Sequence, residues 1–319
     1  MSVLASLRET SGPSVAVELA GHRVSAAAVE WRGGRPVVAA HAIEPLPAGA
    51  LVPSLTAENI HDRAAVGAAL ERVFERIGGR PRRVGLVVPD LVAKVSLVRF
   101  EKVPSRAQDL DQLVRWQVRK TAPFPIEEAQ VSYVPGVRAL DGQEFIVSLA
   151  RRQVVEEYER LCTDAGAHAG IVDLATFNVI NAVLAGSAPP KGDWLLVNVS
   201  ADCASIAIVG GEHLIFFRNR SSETDGTLAD LVHQTAMYYE DRLKGAGFSR
   251  ILMAGAGQQA ADVDQMRRSL EERLTTPVEM VDPRPAAALT DRITAAPALL
   301  DTLAPLVGLL LRERGVKGD

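Results

Sequence analysis

The apolar positions of this chain alternate between two periods. "SVAVELAGHRVSAAAVEW", beginning at Ser14, holds two stretches of β-type patterning around a tight Ala-Gly-His-Arg turn, and "RPVVAAHAIEPLP" adds a third. Three such runs joined by short turns predict an antiparallel meander. In "AAVGAALERVFERIGG" the period changes: Val66, Leu70, Val73 and Ile77 recur at helical spacing, and the pattern closes on Gly78-Gly79. "RRVGLVVPD" is then a short continuous apolar run, the pattern of a central strand covered on both faces.

After Pro89 the pattern belongs to a different unit. "KVSLVRFEKVP" alternates as a strand with one exposed face. A helix follows, with Leu110, Leu113, Val114, Gln117, Val118 and Thr121 along one side and Arg115, Arg119 and Lys120 on the other. "AQVSYVPGVR" and "GQEFIVSLARR" read as strands joined at Asp141-Gly142. A second helix carries Val154, Tyr158, Leu161 and Ala165 in register. These elements predict a compact α+β insertion from Leu91 to Ala165. "GIVDLATFNVINAVLAGSAPPKGD" returns to a strand and a helix and ends at a Pro189-Pro190 turn.

The opening order then recurs. "WLLVNVSADCASIAIVGGEHLIFFRNR" is strand, tight turn, strand, Gly-Gly turn, strand, followed by a helix from Gly226 to Gly245. "RILMAGAG" is a buried strand running into a glycine turn, and a helix, a strand and a terminal helix in "LAPLVGLLLR" close the chain. The expected architecture is α/β, with a first lobe from 14–90 and 166–190, an inserted subdomain at 91–165 and a second lobe at 191–314. A cleft between related lobes is the default place for a ligand.

Composition narrows the chemistry. The chain has 319 residues, 47% of them hydrophobic and 23% charged, with a formal net charge of −4. That balance suits a soluble globular protein of two lobes and argues against a general nucleic-acid binder. The two cysteines, Cys162 and Cys203, stand at no metal-ligand spacing and read as core residues of a reducing compartment. "MSVLASLRETSG" is too short and polar for a secretory signal, and no uninterrupted apolar run reaches the ~18 residues of a membrane span. The six histidines form no His-Glu-x-x-His set, and neither a Gly-x-Ser-x-Gly elbow nor a Walker loop occurs.

Three turns could face a phosphate or a nucleoside. Glu18-Leu19-Ala20-Gly21-His22-Arg23 and Asn198-Val199-Ser200-Ala201-Asp202-Cys203 each join the first two strands of a lobe, where backbone N–H groups can be presented to an anion. Gly255 and Gly257 lie at a strand-to-helix junction, where missing side chains permit close approach of a base or sugar.

In these segments, and across almost the whole chain, the sequence resembles the actin-like PilM family of type IV pilus assembly, related to FtsA and to the sugar-kinase/Hsp70/actin superfold. "VAVELAGHRVSAAAVE" is similar to the family's first nucleotide loop, "RKTAPFPIEEAQVSY" to its basic helix and Pro-Phe-Pro turn, and "IVDLATFNVINAV" to the segment connecting the lobes. "LLVNVSADCASIAIVGGEHLIFFRNR" is similar to its second phosphate loop, and "RILMAGAG", "TTPVEMVDP" and "LAPLVGLLLR" follow in the family's order.

The resemblance implies a two-lobed actin-like ATPase superfold of duplicated RNase H-like domains with a small inserted α+β subdomain. It implies a cytoplasmic scaffold of pilus biogenesis and twitching motility, held peripherally at the inner membrane through its partners without inserting itself. The insertion is expected to bind the N-terminal cytoplasmic segment of a bitopic PilN-like protein, with Arg115, Arg119, Lys120 and Phe124 as the contact region; other platform or motor proteins are further expected partners, and nucleic acid is not one. Phe124 also suits a plug in the subdomain core. ATP or ADP with Mg²⁺ is the implied cofactor, at Glu18, Ala20, Gly21, Arg23, Asp173, Asn198, Ser200, Asp202, Gly255 and Gly257.

The loops depart from the family pattern of Asp followed two positions later by Gly. Those positions hold Glu18 and Ala20 in the first loop and Asn198 and Ser200 in the second. ATP turnover is therefore expected to be weak or absent. Arg23 reads either as a phosphate partner or as a solvated turn residue, and Asp173 either as a cleft group positioning water or Mg²⁺ or as a helix cap. The competing readings are the actin-like component of a type II secretion platform and a small-molecule kinase or ATPase.

Overall fold

The structure is a computed structural model that describes residues 12–186, 191–222, 224, 226–256 and 263–312. The Pro189-Pro190 turn and Gly257 lie outside the described residues.

The first lobe opens with the predicted meander: β1 (Val15–Ala20), β2 (Arg23–Arg32) and β3 (Arg35–Pro45), paired antiparallel. A two-residue turn, Gly21-His22, joins β1 to β2, with Ala20 paired to Arg23. The helix α1 (Arg63–Arg76) follows, started by Asp62, whose carboxylate accepts the Ala65 N–H at 2.9 Å. The covered strand predicted from "RRVGLVVPD" is β4 (Arg83–Val88), which lies parallel between β1 and a later strand, β8 (His168–Leu174). The second lobe repeats this order: β9 (Asp193–Val199), β10 (Cys203–Gly210) and β11 (His213–Ser221) form an antiparallel meander, then come α5 (Leu228–Leu243), β12 (Arg250–Ala254), α6 (Val263–Leu274) and β13 (Val278–Met280). Its sheet runs β11-β10-β9-β12-β13, matching β3-β2-β1-β4-β8 of the first lobe strand for strand.

The insertion is a three-stranded sheet, β5 (Ala93–Phe100), β7 (Gly142–Arg151) and β6 (Ala129–Ala139) in that order, with α2 (Ala107–Arg119) on one face. Alternation divides its side chains cleanly. Val98, Phe100, Val131, Phe145, Val147 and Leu149 meet Val114 and Val118 of α2, while Leu97 and Ile146 face the other way, toward Phe177 and Phe217.

Two segments depart from the expected domain limits. The helix α3 (Arg152–Asp164), expected to close the insertion, buries Val154, Tyr158, Leu161 and Cys162 in the first lobe's core with Val66, Leu70 and Phe74 of α1. The Tyr158 hydroxyl also donates to Asn59 Oδ1 at 3.0 Å. Its apolar stripe fits the α1 surface, so it belongs to the lobe and not to the subdomain. The C-terminal segment was expected to finish the second lobe. Instead β14 (Ala288–Leu289) pairs with β3, and α7 (Pro297–Arg312) packs Leu303, Leu306, Val307 and Leu309 beneath the first sheet.

These placements produce five layers. α1 and α3 cover the outer face of the first sheet, and α5 and α6 cover the outer face of the second. Between the sheets lie α4 (Ala175–Gly186) and α7; Val179, Ile180 and Val183 of α4 contact Leu196, Val209 and Leu252 of the second sheet. A helix buried on every side and largely apolar, as α7 is, suits an inner layer.

α4 and α7 touch at backbone distance, because Gly308 has no Cβ: one built there falls 1.7 Å from the Asn178 carbonyl oxygen. Gly308→Ala is therefore expected to push the two central helices apart and lower stability by about 1–3 kcal/mol. Urea unfolding measures this; an unchanged midpoint would show that the crossing is not tight.

Candidate functional site

Each lobe aims its first hairpin turn at the gap between the sheets, and the C-terminal end of β4 points there too. These ends enclose a cavity of about 50 Å³ lined by Glu18, Ala20, His22, Arg23, Asp90, Asn198, Ser200, Asp202 and Gly255, with Asp301 of α7 beneath. Seven of the residues expected from sequence to meet a nucleotide thus do converge on one cleft, and Gly21 stands beside them. Gly255 is at φ +78, and a Cβ there would fall 2.0 Å from the Val199 carbonyl oxygen, so only glycine fits this junction.

Asp173 is not among them. It lies at the end of β8 but opens into a second depression, paired with Arg312. Burial pushes its carboxyl up, and Arg312 pulls it back. One oxygen accepts the N–H of Leu174, the last residue of β8, at 2.9 Å, ahead of the helix that starts at Ala175.

Within the cleft several polar groups bond one another, while Arg23 Nε and His22 Nδ1 are buried with no hydrogen-bond partner among the described residues. Arg23 Nη2 donates to Glu18 Oε2 at 2.8 Å, Ser25 Oγ donates to the same oxygen at 3.0 Å, and both charged side chains are only 9% exposed. Arg23 Nη1 lies 2.6 Å from His22 Nε2. A guanidinium can only donate, so Nε2 is the acceptor and the ring proton sits on Nδ1.

Deeper in, Asp90 is 3% exposed and accepts from Thr176 N at 3.1 Å, from Ser205 Oγ at 2.6 Å and from the Thr176 hydroxyl. Asn198 Nδ2 donates to Thr176 Oγ1 at 2.9 Å, and Asn219 Nδ2 to the Asp90 carbonyl at 3.1 Å. This knot joins β4 of the first lobe, α4 between the sheets and β9, β10 and β11 of the second. Burial raises the Asp90 pKa, and the Ser205 and Thr176 donors oppose that.

Sequence reasoning missed Asp90, Thr176 and Ser205. The available signal was position: Asp90 follows Pro89 at the carboxyl end of a central parallel strand, where sites of α/β sheets form.

The space between these residues is small. A cavity of about 50 Å³ holds a few waters, whereas small-molecule sites run to several hundred Å³. Glu18 is spent on Arg23, Asn198 on Thr176, and no cluster of metal-ligating side chains exists among the described residues.

The residues expected to meet a partner lie elsewhere. Arg115, Arg119 and Lys120 are on or just beyond α2, the side of the subdomain sheet facing away from the second lobe. Arg115 is held by Asp111 at 2.8 Å, Lys120 sits 5.4 Å from the Trp116 ring centre, and Phe124 packs at the edge of the subdomain core. The opposite side of that sheet forms one wall of the second depression, about 250 Å³, between β6, β7, α4 and the β10–β11 turn. Tyr133, Val134, Ile146, Phe177, Ile180, Leu184 and Leu214 line it, with Asp173, Arg312, Glu212 and His213 at its margins. No helix among the described residues is long and apolar enough to cross a membrane.

Two sheets of equal strand order with a cleft between them define an actin-like ATPase fold. A Bacteroides thetaiotaomicron protein of that fold superposes with a TM-score of 0.51 at 10% identity, over 90% of this chain and 95% of that one. The cytoplasmic domain of EpsL, an inner membrane component of the Vibrio cholerae type II secretion system, gives 0.50 at 10% identity over 96% and 95%. A PilM–PilN type IV pilus biogenesis complex gives 0.80 at 18% identity, covering 97% of this chain and all of the other. Residues 16–240 match the type IV pilus assembly protein PilM family, and the chain belongs to that family.

His22 supplies a pH test of the cleft. Burial, and then the Arg23 charge, hold its pKa below the ordinary 6.5, with Glu18 opposing. The folded state thus prefers the neutral ring; the stability this confers is complete above the unfolded value of ~6.5 and is lost as pH falls below it. An NMR titration should place the His22 midpoint below 6.5, whereas a midpoint at or above it would mean that the Arg23 contact is not formed.

Proposed function

We propose that this chain is a cytoplasmic scaffold of a type IV pilus assembly platform that receives the N-terminal segment of a bitopic PilN-like protein. That partner would hold it peripherally at the inner membrane. We read the two lobes as duplicated RNase H-like units serving as a frame for this docking rather than as a motor. Membership of the family and the likeness in fold to a PilM–PilN complex support the assignment.

The observation that carries it is the groove between the subdomain sheet and α4. It combines aromatic and aliphatic walls with charges at its margins, a surface suited to a short segment that orders on binding. Val134 is 44% exposed there, apolar and without a structural need to be. The basic edge of α2, with Arg119 and Lys120, is a second docking face on the other side of the subdomain; it would steer an acidic partner rather than anchor an apolar one.

The test is affinity for a peptide of the partner's N-terminal segment, read by fluorescence anisotropy with thermal melts beside it. Val134→Glu should weaken binding about tenfold or more at an unchanged melting temperature, since a charge in a desolvated contact costs over ~1 kcal/mol. Arg119→Glu should leave the affinity within about threefold, its effect confined to association rate and salt dependence. The reverse pattern would move the docking site to α2, and no binding by the wild type would refute docking through this segment.

A further inference from the structure

We propose that the partner segment docks as an added β-strand on the free edge of β6, its main chain hydrogen-bonded to Tyr133 and Pro135 and its alternate side chains lowered into the groove against α4. This rests on the docking proposed above and specifies its chemistry: an extended segment, read through its main chain and apolar at every second residue.

β6 is an outer strand of the three-stranded subdomain sheet. Consecutive residues of it, Ser132 to Pro135, line the groove. Alternation lets only every second side chain face it. Ser132 and Val134 do so, beside their cross-strand partners Ser148 and Ile146. Tyr133 turns to the α2 face, where its ring meets Phe145 edge-on at 6.0 Å between centres, and Pro135, opposite Phe145, shares that face. What Tyr133 and Pro135 bring to the groove is therefore main chain, and the strand is met edge-on.

Which main-chain groups point outward follows from the pairing. A residue of an antiparallel strand turns both its N–H and its C=O toward the partner strand or both away. The two-residue turn Leu140-Asp141 sets the Gly142 N–H toward the Ala139 carbonyl. Counting along β7 from there, Ile146 and Ser148 face β6, while Phe145 and Val147 face β5. Their partners alternate in the same way, so Ser132 and Val134 bond to β7, while Tyr133 and Pro135 point to the free edge. Proline at 135 agrees, because a residue without an N–H belongs in the outward set. The Tyr133 N–H and the Tyr133 and Pro135 carbonyls are thus a donor and two acceptors that no hydrogen bond among the described residues occupies. The register shift between Pro135 and Arg138 ends this window and leaves an edge too short for sheet-to-sheet pairing of two copies.

The opposite wall selects the occupant. Phe177, Ile180, Asn181 and Leu184 of α4 recur at helical spacing as one stripe facing the edge. The cavity of about 250 Å³ is smaller than one turn of a helix about 10 Å wide and about 5.4 Å long. An extended segment needs room only for its alternate side chains, and its main chain supplies the acceptor and donors that the edge lacks. Such a segment matches the length of Ser132 to Pro135 and carries no proline where it must donate.

The experiment is an N-methyl scan of a peptide of the partner's N-terminal segment, with affinity for the full chain read by fluorescence anisotropy. Each N-methyl group removes one main-chain donor and leaves the side chain and the extended conformation in place. Methylation at alternate residues should weaken binding about tenfold, while methylation at the residues between them stays within about threefold. Amide exchange followed by NMR is the second readout. The unmodified peptide should slow exchange of the Tyr133 amide about tenfold or more and leave Ser132 and Val134, already bonded to β7, nearly unchanged. Binding that Val134→Glu weakens, but with no alternation in the scan or no protection of Tyr133, would overturn strand addition and leave docking in the groove standing. A peptide that does not bind, or that binds Val134→Glu as well as wild type, would overturn both.

Discussion

The arrangement depends on a single buried carboxylate. Asp90 sits at the end of the first lobe's central strand and takes its donors from the inner helix and from the second lobe. A buried acid without donors costs several kcal/mol, so the folded chain must bring Thr176 and Ser205 to it. That requirement fixes the distance between the two sheets. Because the Thr176 hydroxyl both donates to Asp90 and accepts from Asn198, each group sets the direction of the next, which is the condition under which a polar network specifies one geometry.

α4 carries this geometry outward. Thr176 serves the knot, while Phe177, Ile180 and Leu184 of the same helix form one wall of the groove against the subdomain sheet. The close crossing at Gly308 prevents α4 from shifting relative to α7. Cleft and groove are therefore two sides of one rigid inner layer. A fold that elsewhere serves phosphoryl chemistry is used here, on our reading, to hold a docking surface in shape. In the second lobe the Ser200 hydroxyl accepts the Cys203 N–H, closing that turn.

The layered architecture was legible because it is written in periods. The runs that became β1 to β4 and β9 to β12, the stripe of α1 and the strand–helix–strand–strand order of the insertion all follow from local apolar spacing. What failed was assignment of helices to neighbours. The stripes of α3 and α7 say that each buries a face but not against which lobe, since that depends on a long-range match of surfaces. For the site, position in the meander located Glu18, Arg23, Asn198 and Asp202, yet gave no view of their mutual bonds. Arg23 could be read as solvated or as a phosphate partner; the structure buries it, bonded to Glu18 on the neighbouring strand. Asp173 misled for the opposite reason: adjacent residues of a strand point to opposite faces, and it opens into the groove.

The central claim, that the Asp90 knot holds the lobes in one fixed relation without ligand, is tested most directly by an interlobe distance distribution. Spin labels on the exposed surfaces of α1 and α6 would be read by pulsed electron resonance in the nucleotide-free chain and in Asp90→Ala. The account predicts one narrow distance in the wild type and a longer, broader distribution in the variant. A broad distribution in the wild type, or a variant indistinguishable from it, would contradict the account.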